Sequence, residues 1–162
     1  MSEQAPNKQA DVGDTMPTVA MTGADGQAIS VADYAGKPLV VFFYPKDDTP
    51  GCTIENQDFS NLGPQFAKAC AALLGVSKDP PAKHAKFVAK YCLVAPLASD
   101  TETGGLSDAL GIWLEKSMYG RTYMGMERTT YLVDAAGKIA RVWRKVKVKG
   151  HAAEVLEAAK AL

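Results

Sequence analysis

At 162 residues, the chain has the length of one domain that buries a core without disulfide staples. Its 18 basic and 18 acidic residues balance, so the composition gives no sign of a nucleic-acid partner or of binding to an acidic membrane surface. The three cysteines are too few and too unevenly placed for a disulfide framework, which favours reduced thiols and a cytoplasmic location.

The N-terminal part of the sequence predicts a flexible tail and then a small hairpin. Residues 1–10 are polar and show neither a signal peptide nor a membrane anchor, so a single domain is expected over residues 11–162. Within it, residues 18–22 and 28–31 predict two short strands, and an Asp-Gly pair between them predicts the turn.

A strand followed by a helix start forms the centre of the pattern. Residues 39–44 are an uninterrupted apolar run, which predicts a strand buried on both faces. Thr49 and Pro50 are residue types preferred at the N-cap and the first position of a helix. The apolar residues that follow have mostly the three- and four-residue spacing of one amphipathic helix: Ile54, Phe59, Leu62 and Phe66.

Cys52 falls in the first turn of this predicted helix. The unpaired N–H groups of that turn and the positive end of the helix dipole favour a negatively charged sulfur. We therefore expect a nucleophilic thiolate at this strand-to-helix junction. The alternative is a buried structural cysteine, a common role for this residue type.

The remaining elements alternate between strands and helices. The apolar run over residues 71–76 predicts a strand parallel to the first one, which completes a right-handed crossover unit. The later predictions are a helix opened by Asp79-Pro80-Pro81 that runs to about Tyr91, a short strand over 96–100, a short helix over 105–111, a loop over 111–128, a hairpin of 129–134 with 138–143, and a closing helix over 151–162. The order indicates an α/β fold, a central mixed sheet with helices on both faces, similar to thioredoxin.

The segment around Cys52 resembles the active-site signature of a known family. Pro45, Thr49 and Cys52 match the Pro-x-x-x-Thr-x-x-Cys signature of the peroxiredoxins. Residues 43–55 are similar to the longer motif of the peroxiredoxin Q group, also called bacterioferritin comigratory protein. A distal Gly-x-x-Arg-Thr-Thr segment, which contains Arg128, stands in the same order as in that group, and the resemblance covers almost the whole chain.

The resemblance implies a thiol peroxidase that reduces hydrogen peroxide and organic hydroperoxides without a metal or another cofactor. The Cys52 thiolate would attack the O–O bond and become a sulfenic acid. Thr49 would hydrogen-bond the sulfur or the incoming peroxide, and Arg128 would stabilise charge on sulfur and oxygen. Pro45 would shield the sulfur from water, and Glu55, one turn after Cys52, would orient Arg128.

The sulfenic acid must then be resolved by another thiol before it is oxidised further. Members of the group carry the resolving cysteine five residues on or on the following helix, where this chain has Gln57 and Val88. Cys92, four residues after Val88, is the candidate for this role, and its alternative is a core residue at a helix end. Cys70 is expected to be buried and inert. Thioredoxin, glutaredoxin or glutathione is the implied reductant, and would reduce Cys52 directly if Cys92 does not serve.

A different function also stays open, that of a redox sensor or thioredoxin-fold binding protein oxidised at Cys52 without efficient turnover. Basic residues alternate with valines from Arg141 to Lys149, which favours one solvated strand face over a nucleic-acid surface. His84 and His151 lie far apart without ligand spacing, so no metal site is predicted. Members of this group are often monomers, and a monomer is expected here.

Overall fold

A computed structural model describes residues 9–101 and 105–162, so residues 1–8 of the predicted tail lie outside the described residues. Gln9, which the sequence assigns to that tail, donates a hydrogen bond to the main-chain oxygen of Gly111 at 3.2 Å. The main-chain N–H of Ala10 donates to Leu110 at 3.4 Å. The division of the chain into a tail and one domain at residue 11 stays a prediction.

Strands and helices alternate along the described residues. The strands are β1 (Met21–Gly23), β2 (Ala28–Ile29), β3 (Leu39–Phe43), β4 (Ala72–Ser77), β5 (Leu97–Ser99), β6 (Trp113–Met118), β7 (Arg121–Met126), β8 (Thr129–Val133) and β9 (Ile139–Trp143). The α-helices are α1 (Pro50–Asn61), α2 (Gly63–Lys68), α3 (Pro81–Tyr91), α4 (Leu106–Leu110) and α5 (His151–Lys160), and a 3-10 helix spans Val31–Tyr34. None of the helices described is long and apolar enough to span a membrane.

One mixed sheet organises the described part of the chain, with the strand order β2-β1-β5-β4-β3-β8-β9. The strands β3, β4 and β5 are parallel, as expected where helices make the crossovers, and β8 runs antiparallel to β3. The strands β1 and β2 pair at one edge, with Gly26 at a φ of +83° in their turn. The predicted mixed α/β sheet and its N-terminal hairpin are confirmed.

The side chains of β3 separate the interior into two cores. Val40 and Phe42 face the core that α1, α2, α3 and α5 cover, whereas Val41 and Phe43 face the core closed by the 3-10 helix and α4. All residues of β3 are buried, and each large apolar side chain stabilises the fold by about 2 kcal/mol when it leaves water. This two-sided burial fixes the end of β3, from which the chain enters the loop before Cys52.

The apolar spacing after Cys52 belongs to two helices rather than one. The helices α1 and α2 meet at Leu62. Phe59 and Phe66 are buried as expected, but Ile54 is 51% exposed, so the prediction of one amphipathic helix is wrong. The break is explained by Pro64, which has no N–H to continue the hydrogen-bond ladder of α1 and suits the start of a new helix.

The predicted loop over residues 111–128 is wrong, because most of it forms a second hairpin. The strands β6 and β7 pair antiparallel along their whole length. Tyr119 and Gly120, at φ values of 53° and 77°, make the tight turn between them. The hairpin stands apart from the main sheet, so few of its side chains enter a core and no clean apolar alternation marks it. Its exposed large apolar residues are Met118, Tyr119, Tyr123 and Met124.

Two further predictions differ from the structure. Cys70, expected to be buried, is exposed, since it lies in the turn between α2 and β4 with a φ of 61°, before the buried apolar run. The basic strand expected to reach Lys149 ends at Trp143, and residues 144–149 are irregular, although the lysines there are exposed as predicted. The main-chain N–H of Val146 donates to the main-chain oxygen of Arg128 at 2.9 Å, which ties the irregular segment to the connection between β7 and β8.

His151 joins α5 to the sheet and to α1. Its Nε2 atom lies 2.8 Å from the hydroxyl oxygen of Thr130 on β8, and its ring packs edge-on against Phe59 of α1. Burial lowers the pKa of His151 to about 4, because the charged ring would lose its hydration. The ring is therefore neutral in the folded protein at neutral pH.

A neutral His151 predicts a loss of stability in mild acid. The unfolded chain binds a proton at this histidine near its ordinary pKa of 6.5, so between pH 6.5 and 4 the unfolded state holds more protons than the folded one. The free energy of unfolding therefore decreases as the pH is lowered through this range. We expect the loss in free energy of unfolding between pH 7 and pH 4.5 to be about 2 kcal/mol smaller in His151→Gln than in the wild type. Urea unfolding of the wild type and of His151→Gln at pH 7 and pH 4.5 measures this difference. An equal loss of stability in the two proteins would contradict the prediction.

Candidate active site

Cys52 is the third residue of α1, at the junction with β3. Pro50 begins the helix and Thr49 is the N-cap residue, as predicted. The cysteine is a free thiol and only 1% exposed. Its sulfur lies at the end of the helix where N–H groups lack carbonyl partners, so the helix itself favours a thiolate at this position.

The sheet register brings Arg128 to this junction. Phe43, the last residue of β3, pairs with Thr129 at the start of β8, and Arg128 directly precedes that strand. The chain that leaves β3 toward Cys52 and the chain that enters β8 therefore run side by side. Residues 76 positions apart in sequence meet as a result.

The guanidinium of Arg128 bridges Cys52 and Glu55. Its Nη2 atom donates to the sulfur of Cys52 at 3.4 Å, and its Nη1 atom donates to Glu55 Oε1 at 2.7 Å. The guanidinium also lies against Gly51, where a Cβ atom would be 3.4 Å from Nη2, an ordinary contact distance. The structure thus brings together three residues that the sequence singles out, with a fixed cation beside the sulfur.

The ion pair between Glu55 and Arg128 is largely shielded from water. The Glu55 side chain is 1% exposed, and burial raises the pKa of Glu55 to about 7, a rise that the charge of Arg128 limits. For Arg128, burial acts against the charged form, but the charges of Glu55 and Cys52 outweigh it and raise the pKa. Arg128 therefore stays a cation, with one amino group held by Glu55 and the other facing the sulfur.

The hydroxyl of Thr49 donates to the main-chain oxygen of Lys46 at 2.8 Å and does not accept from an N–H group of α1. The expected N-cap position of Thr49 is confirmed. This hydrogen bond closes the loop over residues 45–49 on itself. The hydroxyl oxygen keeps its lone pairs and can accept a hydrogen bond from a bound molecule.

Beside Arg128 lies an open cleft of about 530 Å³. Pro45 belongs to the loop between β3 and α1, which we call the active-site loop, and forms part of one wall of the cleft. The hairpin strand β6 forms the opposite wall. Its lining residues are Pro45, Leu114, Glu115, Lys116, Glu127, Arg128, Lys145 and Val146. The cleft combines three apolar side chains with five charged ones, so it has room and suitable surface for a small polar molecule with an organic substituent.

Two acidic residues of the active-site loop, Asp47 and Asp48, were not assigned from the sequence. Asp48, at a φ of 60°, accepts hydrogen bonds from Lys90 Nζ at 2.9 Å and from the Tyr91 hydroxyl at 2.8 Å. Asp47 is 2% exposed and lies against His84. The partners stand on α3, more than 30 residues away, so no local pattern could have revealed them.

Cys92 lies just past the end of α3, as expected. It is the C-cap residue, exposed, in the left-handed region with a φ of 52°. Its neighbour Tyr91 holds Asp48 of the active-site loop. The exposed helix end gives Cys92 more freedom to move than a core position would, but its role stays a prediction.

The family model and the relatives that match this chain belong to the same family. The sequence model of the AhpC/TSA family matches residues 12–142. Peroxiredoxin Bcp of Bacillus subtilis is 43% identical over 150 residues, which are 93% of this chain and 95% of the relative. Peroxiredoxin Bcp of Xanthomonas campestris is 47% identical over 136 residues, 84% of each chain.

Among solved structures, one of Xanthomonas campestris bacterioferritin comigratory protein superposes with a TM-score of 0.84 at 41% identity, covering 91% of this chain and 98% of that one. That structure is described in terms of the alkyl peroxide reduction activity of its protein and of a trapped intermediate and ligand complex. The agreement extends over nearly the whole chain, so the predicted thioredoxin-like fold is confirmed.

Proposed function

We propose that Cys52 is the peroxide-reducing thiol of this chain, which belongs to the AhpC/TSA family of thiol peroxidases. The substrates of the enzyme are hydrogen peroxide and organic hydroperoxides. The observation that supports the assignment to Cys52 is the 3.4 Å contact between its sulfur and Arg128 Nη2 at the start of α1. Neither Cys70 nor Cys92 lies at a helix start, where the charge of a thiolate is favoured.

The reaction is a two-electron displacement at oxygen. The Cys52 thiolate attacks the terminal oxygen of the hydroperoxide, the S–O bond forms as the O–O bond breaks, and the electron pair of the O–O bond goes to the other oxygen. That oxygen takes up a proton and leaves as water or as an alcohol. The sulfur is oxidised to a sulfenic acid and the peroxide is reduced, so electrons and atoms balance.

Arg128 acts on both ends of this displacement. Charge moves from the sulfur to the leaving oxygen, and the guanidinium has donors left to follow it, since Glu55 occupies only the Nη1 side. A donor held in place before the reaction costs no reorganisation when the charge develops. Glu55 fixes the plane of the guanidinium, and its burial keeps that ion pair free of competing water.

Thr49 and Pro45 stand on the loop between β3 and α1, which leads directly to Cys52. The hydroxyl of Thr49 donates its hydrogen bond to the main-chain oxygen of Lys46, so its own oxygen is left to accept a hydrogen bond from the protonated oxygen of the peroxide. Pro45 lines the cleft beside Arg128 and has no N–H that could hold water there. The organic part of a hydroperoxide would extend into this cleft between the loop and β6.

Resolution of the sulfenic acid falls to Cys92 in this proposal. Gln57 and Val88 occupy the positions where the peroxiredoxin Q group carries its second cysteine. Cys92 is exposed at the end of α3, and unwinding of the last helical turn would free it to attack Cys52. Attack of its thiolate on the sulfenic sulfur forms the S–S bond and releases the oxygen as water.

Intact mass after one equivalent of hydrogen peroxide, without reductant, tests both assignments. We expect the wild type to lose two hydrogens, and peptide mapping to place a disulfide between Cys52 and Cys92. Cys92→Ser should instead stop at a sulfenic acid on Cys52, while Cys70→Ser should behave as the wild type. A lasting sulfenic acid in the wild type would refute resolution by Cys92, and an unoxidised Cys52 would refute the proposed function.

The physiological setting is part of the same proposal. Thioredoxin, glutaredoxin or glutathione would reduce the oxidised enzyme by thiol–disulfide exchange. The three cysteines are free thiols, which suits a reducing cytoplasm. We propose a monomer, because the contacts between Cys52, Glu55 and Arg128 are all made within one chain.

A further inference from the structure

A buried pair of charged residues stands behind the active-site loop. His84 Nδ1 lies 2.6 Å from Asp47 Oδ2, and both side chains are fully buried. Asp47 belongs to the loop between β3 and α1, and His84 belongs to α3. The mechanism derived above uses neither residue.

The contacts of His84 hold its ring between Asp47 and the main chain of β5. The Nε2 atom of the ring lies 3.1 Å from the main-chain oxygen of Ala98, an acceptor, so Nε2 carries a hydrogen. The Nδ1 atom lies 2.6 Å from Asp47 Oδ2, within ion-pair distance, although the two atoms are not aligned as a hydrogen bond. Removal of either member would leave the other buried without this partner.

The other polar atoms of Asp47 are also fixed. Its Oδ1 atom accepts from the hydroxyl of Tyr44 at 2.6 Å, and its main-chain N–H donates to Asp79 Oδ2 at 2.7 Å. Asp79 in turn accepts from Ser77 Oγ at 2.6 Å. Every one of these partners lies on β3, β4, α3 or the segments directly joined to them, so the middle of the loop is bound to the sheet and to α3.

Asp47 stands two residues after Pro45 and two before Thr49. The position of Asp47 therefore affects where the loop places Pro45 in the wall of the cleft and Thr49 at the start of α1. The sulfur itself is held by different contacts, those with α1 and Arg128. Displacement of the loop would thus change how a peroxide is seated, while the thiolate keeps its stabilising partners.

We propose that His84 is a positioning residue for the peroxide reaction. Through its buried pair with Asp47, it fixes the position of the loop that carries Pro45 and Thr49 relative to the sulfur of Cys52. The inference rests on the proposed function of Cys52. Misplacement of a reacting group by about 1 Å costs about 10²-fold in rate, which sets the size of the expected effect.

The test compares two reactions of the same thiol in His84→Gln. Oxidation of Cys52 by hydrogen peroxide needs the loop to seat the peroxide, whereas alkylation of Cys52 by iodoacetamide needs a thiolate that the reagent can reach but no seated peroxide. We expect the rate constant for peroxide to fall by about 10²-fold and that for iodoacetamide to stay the same or rise. The matched control is His151→Gln, which removes a buried histidine hydrogen-bonded to Thr130 and should keep the peroxide rate within about threefold of the wild type.

Asp47→Asn and the double variant complete the experiment. If the two residues act as one unit, the double variant reacts with peroxide no more slowly than the slower single variant. Urea unfolding shows which proteins are folded, and Asp47→Asn carries the comparison if His84→Gln does not fold.

Three results would overturn the inference. They are a peroxide rate within about threefold of the wild type in the folded variant, an equal fall in the peroxide and iodoacetamide rates, and failure of both single variants to fold, which would make the pair a requirement of the fold itself. A wild-type Cys52 that does not react with peroxide would instead refute the proposed function.

Discussion

Cys52→Ser is expected to abolish peroxide reduction. The reaction transfers an electron pair from sulfur to oxygen, and a serine hydroxyl neither ionises at neutral pH nor forms the corresponding oxidised product. The buried site and Arg128 cannot compensate, because they stabilise charge that the serine does not carry. Loss of a nucleophile lowers turnover by about 10⁴-fold or more, which here means to the rate of the uncatalysed background.

The measurement is peroxide-dependent oxidation of NADPH in the presence of thioredoxin and thioredoxin reductase. Several turnovers per subunit in the wild type would distinguish the enzyme from a sensor that is oxidised once. Cys70→Ser is the matched control, since Cys70 is exposed in the turn between α2 and β4, and it should retain full activity. Turnover by Cys52→Ser above the background would contradict the assignment of the nucleophile.

Arg128→Ala is expected to slow oxidation of Cys52 by about 10³-fold, the upper effect of removing one fixed donor to a developing charge. Three losses combine in this variant. The sulfur loses its neighbouring cation, the leaving oxygen loses its donors, and Glu55 is left buried beside the sulfur without the group that pairs it. The Arg128→Lys variant should recover part of the rate, because it restores the charge without the planar fork of donors.

Stopped-flow measurement of the second-order rate constant with hydrogen peroxide tests this expectation. Arg141→Ala is the matched control, since Arg141 is an exposed arginine on β9 that lies over the ring of Trp143 at 4.7 Å. It should change the rate constant by less than about twofold, as expected for a surface charge outside the site. Unchanged peroxide kinetics in Arg128→Ala would refute the role of Arg128.

The sequence predicted the parts of the fold that depend on local signals. The apolar run of β3, the Thr-Pro pair at the start of α1 and the hairpin of β8 and β9 each specify their structure through near neighbours. The contact of Arg128 with Cys52 has no local signal, and it came from resemblance to a family. The sheet register then supplies its physical reason, because Phe43 pairs with Thr129.

The features that the sequence did not predict depend on distant contacts or on exposure. The hairpin of β6 and β7 lacks an apolar alternation because it stands outside the main sheet, so the usual signal of a strand is missing. Ile54 fits a helical stripe but is exposed, since the buried face of α1 runs through Cys52, Glu55, Asn56 and Phe59 instead. Asp47 reads as an ordinary polar loop residue, and only the fold places His84 of α3 against it.

The attachment of Asp48 to the end of α3 has a consequence for the energetics of the catalytic cycle. In the proposed resolution by Cys92, an exposed thiol has to reach the buried Cys52, so the chain between Lys90 and Cys92 would move and give up the contacts of Lys90 and Tyr91 with Asp48. The free energy lost on oxidation is regained on reduction. A disulfide formed at this cost has a higher reduction potential than one that fits the native fold, so a cellular thiol reduces it more readily and native packing favours the return to the active thiolate.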